Sequence, residues 1–270
     1  MCPHCRAFIT NKDRVCPYCD EKVGPRAIDL HDPGSLLPGL IPAGMFLSAL
    51  ILTLNAGLYL LTVVASMKQG NSSALMGIDG RTLALFGGKI RAFILAGQWW
   101  RLVTAGCLHG GIFHILMNSY GLVLLGPQVE SYYGTRRMMV IYFVSTVGGF
   151  FASTVWSAGL SVGASAGLFG LLGAMLAITL MHEGHMADTM RSSILTIIGI
   201  NLVFGFINPV IDNAAHIGGL ISGVLVGLAA RRPRLIANHP LERLWQILCW
   251  ICVGLTAWSF FRWYVWFASI

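Results

Sequence analysis

Apolar positions in this chain run on without the two-residue alternation of half-buried strands or the one-sided stripe of soluble helices. Seven runs come near or beyond the roughly 20 residues that carry a helix across a bilayer. They cover residues 43–67, 112–130, 138–157, 165–182, 192–209, 213–230 and 244–267. Polar residues interrupt the second run and glycine punctuates the fourth. Between Met138 and Met181 there is neither a charged residue nor a histidine. The pattern predicts an all-α polytopic membrane protein with seven helices.

Composition agrees. The 270 residues are 56% hydrophobic and 11% charged, where soluble domains carry about 25% charge, and the mean hydropathy is +0.71. Arg136, Arg137, Arg191, Arg231, Arg232, Arg234 and Arg243 fall on one side of the predicted spans, with Arg6, Lys12, Arg14, Lys22 and Arg26 ahead of the first. The connections at 158–164 and 210–212 carry no Lys or Arg. The positive-inside rule then predicts a cytoplasmic N-terminus and an outer C-terminus. The long connection 68–111 is basic yet falls outside, where long loops weigh less in that rule. The net charge of +7 follows this topology, and no basic, aromatic-interleaved patch points to nucleic acid. Residues 1–30 lack an apolar core segment, so the first span is expected to act as an uncleaved anchor.

Three blocks result: a polar head at 1–26, a linker at 27–42 with Pro33, Pro38 and Pro42, and a helical bundle at 43–270. Three prolines keep the linker from being one helix. The head holds Cys2-x-x-Cys5 and Cys16-x-x-Cys19, ten residues apart. Two such knuckles place four thiolates around Zn²⁺, in a zinc-ribbon-like segment too short to fold without the metal. Two disulfides or an iron site are the alternatives, and a reducing cytoplasm disfavours disulfides. His4 is read as a bystander. The site is expected to be structural, and the head to meet a cytoplasmic partner. Cys249 and Cys252 repeat the spacing inside the last span, where cysteine, like Cys107, reads as an ordinary buried apolar residue.

The chemistry concentrates at Gly163-Ala-Ser165-Ala-Gly167, which opens the fourth span, and at His216, near the start of the sixth. A serine at a helix start reads equally as an N-cap. Exposed backbone N–H groups there would also stabilise an oxyanion. An imidazole inside a span is expensive and marks function. Spans four and six run the same way, so the two side chains share a depth. Gly219, Gly223 and Gly227 lie on one face after His216, against Gly167, Gly170, Ala174 and Ala177, small residues that allow close helix approach. His114 and Asn118, four apart on the second span, offer oxyanion donors or ordinary interhelical hydrogen bonds. His109, just outside that span, is either structural or lines a water route. Asp212 precedes His216 by four residues but sits in a loop, and is not assigned as a triad acid.

These residues resemble the rhomboid family of intramembrane serine proteases. The resemblance is carried by Trp100-Arg101-Leu-Val-Thr104, Leu108-His109-Gly-Gly, His114-Ile-Leu-Met-Asn118, Gly126-Pro-Gln-Val-Glu130, Gly163-Ala-Ser-Ala-Gly-Leu-Phe-Gly170 and Ala215-His-Ile-Gly-Gly219, over roughly residues 45–230. It implies a rhomboid-like six-helix bundle with a seventh, C-terminal transmembrane helix. It also implies a Ser165–His216 dyad without an acidic third member or a catalytic cofactor, and an oxyanion hole of His114, Asn118 and the Ser165 N–H. Phe169 would stack on the histidine, while Trp100, Arg101 and Glu130 would brace the first outer loop. Ala166 follows the serine where the family usually has glycine, and its methyl is expected to narrow the substrate cleft.

The implied activity is endopeptidase cleavage of transmembrane segments, the partners being other membrane proteins and the lipid bilayer. A helix hides its carbonyls in hydrogen bonds, so substrates with helix breakers and a small residue near the cut are expected. A non-proteolytic relative that binds transmembrane clients is the alternative, although such relatives typically lose the serine or histidine. A transporter is disfavoured by the lack of acidic residues in the spans and of paired broken helices. A bacterial cytoplasmic membrane is the expected location.

Overall fold

The computed structural model describes residue 5 and residues 15–20, 45–230 and 240–270; Cys2 and the linker at 27–42 lie outside the described residues. The regular elements of the described bundle are helices: α1 (Phe46–Lys68), α2 (Gly80–Leu85), α3 (Arg91–Leu95), α4 (Arg101–Thr104), α5 (Ile112–Tyr133), α6 (Thr135–Trp156), α7 (Ser165–Leu180), α8 (His185–Ile207), α9 (Asn213–Ala230) and α10 (Pro240–Phe267). All seven predicted runs are helices. α2, α3 and α4 are short and fold up the long connection between α1 and α5.

Six of the seven long helices have the length and composition to cross a membrane. α7 is the exception at 16 residues. At 1.5 Å per residue it is about 24 Å long, against roughly 30 Å of hydrocarbon. Its N-terminus, and Ser165 with it, therefore starts below the membrane surface when its other end reaches the opposite face.

α7 is the centre of the bundle, packed most closely by α9 and α6. Its residues 166–175 are buried without interruption. The α7–α9 approach is backbone to backbone: a Cβ at Gly219 would strike the Ala166 carbonyl, and one at Gly223 would strike Gly170. A Cβ at Gly227 would come within 3.0 Å of the Ala174 Cα. The predicted glycine stripe thus does what small residues do in membrane interfaces. Gly167 belongs to a different contact, since the space beside it is filled by the Tyr142 ring and Thr146 of α6.

Polar side chains fasten the end of the bundle away from Ser165. Both oxygens of the Glu130 carboxylate lie 3.2 Å from the Leu47 N–H, in the first turn of α1, and Glu130 Oε1 accepts from Thr135 Oγ1 at 2.7 Å. Glu130 therefore caps α1 and does not brace the connection between α1 and α5. It stands 18 residues along α5 from Ile112, about 27 Å away. At the same end Arg137 makes a buried, two-pronged ion pair with Glu242 at 2.8 and 2.9 Å and donates to the Ala230 carbonyl at 3.1 Å. That arrangement ties α6, the end of α9 and the start of α10 together.

The far end of α10 reaches the α2–α4 segment. Trp263 donates to the Leu85 carbonyl at 2.9 Å, and Trp266 packs on Trp100 and Phe93. The Arg101 guanidinium lies over the rings of Phe93, Trp100 and Trp266, each within 4.8 Å. It also donates to the carbonyls of Ala84 and Gly88 at 2.7 and 2.8 Å. Arg101 and Lys89 are fully buried, so two of the charges that make this connection basic are structural.

Candidate active site

Ser165 is the first residue of α7, and its hydroxyl does not cap the helix; the cap position is Ala164, with no side-chain bond. The Ser165 Oγ instead lies 2.9 Å from His216 Nε2. The sequence separates these residues by 51 positions, and the α7–α9 approach closes the gap. Phe169, one turn along α7, stacks on the imidazole with 4.2 Å between centroids and 11° between planes. His216 Nδ1 is buried and has no hydrogen-bond partner among the described residues. Nε2 can then accept the serine proton when Nδ1 carries the ring hydrogen.

Asp212 is not the partner of that Nδ1. One carboxylate oxygen accepts from the Ala215 N–H at 3.1 Å, and the other is bound by the Ser153 hydroxyl. Asp212 caps α9 and fixes the helix that carries His216.

The donors come from the other side. The Gly110 N–H donates to His114 Nδ1 at 3.3 Å, so the neutral ring carries its hydrogen on Nε2. That edge faces Gly163: a Cβ placed there would lie 2.6 Å from His114 Nε2 and 3.6 Å from Ser165 Oγ. Gly163 has φ +133°, a conformation L side chains rarely adopt. Asn118, one turn further along α5, has a buried Nδ2 without a hydrogen-bond partner among the described residues. An unpaired buried amide is costly unless a ligand or water meets it. His109 stands edge-on to His114 at 5.1 Å, and burial followed by His114 pushes it down to about 3, so it stays neutral.

Ala166 does not narrow an open cleft. It is fully buried, and its methyl points at Gly149 of α6, where a Cβ would come within 2.7 Å of it. The missing side chain at Gly149 makes room for the extra one at Ala166.

Trp100 and Arg101 pack within the α2–α4 segment, whereas Glu130 lies at the opposite end. One residue of this region was not singled out from sequence. Lys89 is joined to the loop before α7 through its backbone and its ammonium. Burial holds that ammonium below the usual lysine range, with Asp212 acting to raise it and Arg91 to lower it. Its trace in the sequence is a cation directly after Gly87-Gly88, two residues before Arg91.

A short α7, a serine at its mouth and a histidine on a glycine-lined neighbour coincide with the family model for the rhomboid domain, which matches residues 96–233, about half of the chain. The chain belongs to the rhomboid family. It is 42% identical over 153 residues to rhomboid protease GluP of Bacillus subtilis (strain 168), covering 57% of this chain and 30% of that protein. It is 39% identical over 157 residues to RHOMBOID-like protein 1 of Arabidopsis thaliana, covering 57% and 40%. RHOMBOID-like protein 6, mitochondrial, of the same plant is 41% identical over 166 residues, covering 60% and 54%. The match thus spans between 30% and 54% of these relatives' own length. It is an integral, multi-pass rhomboid with a helix, α10, added after α9.

In the head, the thiols of Cys5, Cys16 and Cys19 lie within 4.8 Å of one another, Cys5 and Cys16 at 3.6 Å. Zinc–sulfur bonds of about 2.3 Å at tetrahedral angles put sulfurs about 3.8 Å apart. The Cys5–Cys16 pair matches that spacing, and the other two pairs lie no more than about an ångström above it.

Proposed function

We propose that this rhomboid is an intramembrane serine endopeptidase that cleaves transmembrane segments with Ser165 and His216. The 2.9 Å contact between Ser165 Oγ and His216 Nε2, made at the mouth of a helix too short to span, carries the reading. The likeness to a relative named as a protease adds to it.

His216 Nε2 takes the hydroxyl proton as Ser165 Oγ attacks the scissile carbonyl carbon. The carbonyl oxygen becomes an oxyanion and accepts from the Ser165 N–H, His114 Nε2–H and Asn118 Nδ2–H. His216 then hands its proton to the departing amine and later activates the water that frees the acyl chain. Phe169 keeps the imidazole plane fixed through both transfers. No metal or cofactor takes part.

The site opens toward the outer face of a bacterial cytoplasmic membrane, with the N-terminus cytoplasmic. Helix-destabilised segments with a small residue at the cut are its substrates, because the carbonyl must leave its own helix before attack. Residues 1–26 form the separate head, held by zinc on Cys2, Cys5, Cys16 and Cys19, and offer a surface to a cytoplasmic partner.

The test is cleavage of a model transmembrane substrate in proteoliposomes by the native chain, Ser165→Ala, His216→Ala and the double variant. Each single variant should lose nearly all activity and the double little more, because the two groups act as one unit. Cleavage that survives Ser165→Ala would remove Ser165 as nucleophile. A native chain that binds but never cuts a broad substrate panel would favour client binding without proteolysis.

A further inference from the structure

We propose that Lys89 is a positioning residue for Ser165: it clasps the loop between α6 and α7 and sets where the serine enters the site. The inference rests on the protease reading and adds a residue that reading does not use.

Burying an ammonium is expensive unless its hydrogens are taken up. Lys89 is fully buried and spends its hydrogens on one short loop. Its Nζ donates to the Ser157 carbonyl at 2.7 Å and the Gly159 carbonyl at 3.3 Å. Its backbone closes an antiparallel bridge with Ser161, donating at 3.0 Å and accepting at 2.9 Å. Residues 157, 159 and 161 are thus held by the same lysine, the first two through its ammonium and the third through its backbone. Two residues later the Gly163 N–H donates to the Ala105 carbonyl at 3.0 Å, and two residues after that stands Ser165.

Lys89 is itself anchored from behind. Arg101 donates to the carbonyl of Gly88 at 2.8 Å, and Arg101 is covered by Trp266 of α10. Gly88 presses on the loop, where a Cβ would meet Leu160 and Val162 side chains. The line of contact therefore runs from α10 through Arg101 and Lys89 to Ser165. Asp212, which caps the helix of His216, acts electrostatically on the same ammonium.

Lys89→Met keeps the length and removes the charge; Lys89→Arg keeps a cation. Hydrogen exchange by mass spectrometry on the full chain in detergent should show residues 157–165 of Lys89→Met exchanging at least about tenfold faster, with α6 and α9 unchanged. On a transmembrane substrate, kcat should fall about tenfold or more with KM little altered, and Lys89→Arg should recover part of it. Unchanged exchange at 157–165 overturns the clasp whether or not the chain is a protease. Faster exchange through the whole bundle reduces Lys89 to a stability residue and overturns positioning. So does local loosening with kcat unchanged. A native chain that cuts nothing sinks the protease reading by itself, while exchange still decides the clasp.

Discussion

The Phe169 ring lies flat on the His216 imidazole, 4.2 Å between centroids and 11° from parallel. With no partner on Nδ1 among the described residues, this stack and the Ser165 hydroxyl are what orient the ring. Aromatic pairs contribute about 0.5–1.5 kcal/mol beyond burial, so Phe169→Ala should slow substrate cleavage about three- to tenfold. Phe169→Tyr preserves the stacking face and should stay near the native rate. Fluorophosphonate labelling of Ser165 in the three proteins, timed in one detergent, measures the ordering.

Gly163 is the position where backbone and site geometry meet. Its φ of +133° strains any other residue, and a Cβ would sit 2.6 Å from His114 Nε2. Gly163→Ala should displace the imidazole from the oxyanion position. Losing one such donor costs about a hundredfold in kcat. The expected result is a protein that melts a few degrees lower, from about 1–3 kcal/mol of backbone strain, yet cleaves about two orders of magnitude more slowly; equal kcat would show that His114 is not held there by Gly163.

The sequence reveals what periodicity and spacing record. Long apolar runs locate all seven long helices, and Ser165, His216, His114 and Asn118 stand out because polar groups are costly inside spans. Residues whose meaning lies in tertiary direction stay hidden. Ala166 looks like an intrusion on the cleft until its methyl is seen to face Gly149. Glu130 is expected from the resemblance at the α1–α5 connection, although its helix carries it to the other end. Lys89 reads as one more loop cation, because nothing local to it signals three successive contacts with residues some 70 positions away.

The Ala166–Gly149 pair makes a prediction about helix packing. A methyl at Gly149 would come within 2.7 Å of the Ala166 methyl and press on the Ala215 carbonyl as well. Overpacking of this kind costs about 1–3 kcal/mol, so Gly149→Ala should lower the melting temperature in detergent. Ala166→Gly in the same chain should return part of that loss, while a double variant no more stable than Gly149→Ala would place the clash elsewhere.

Arg137 and Glu242 form a buried ion pair that joins α6 to α10. Removing one member of such a pair strands the other charge and costs about 3–5 kcal/mol. Glu242→Ala should therefore destabilise the bundle strongly. Replacing both residues by methionine should be much milder, since the desolvation of both charges disappears with their attraction. Thermal unfolding of the single and double variants separates these outcomes, and equal losses would mean the pair acts through something other than charge.

The head supplies the last prediction. The sulfurs of Cys5 and Cys16 are 3.6 Å apart, too far for a disulfide of about 2.05 Å and close to the spacing around tetrahedral zinc. Metal analysis of the purified full chain should find about one zinc per molecule, the count a closed four-cysteine site holds. Cys16→Ser removes a thiolate and should lower that occupancy sharply. A chelator should strip the metal more readily as the pH falls, because protons compete for the thiolates. Loss of zinc should expose the head to proteolysis while residues 45–230 melt at an unchanged temperature, since a segment this short folds only around its metal. Zinc-free protein with a protease-resistant head would show that the cysteines hold this segment by some other means.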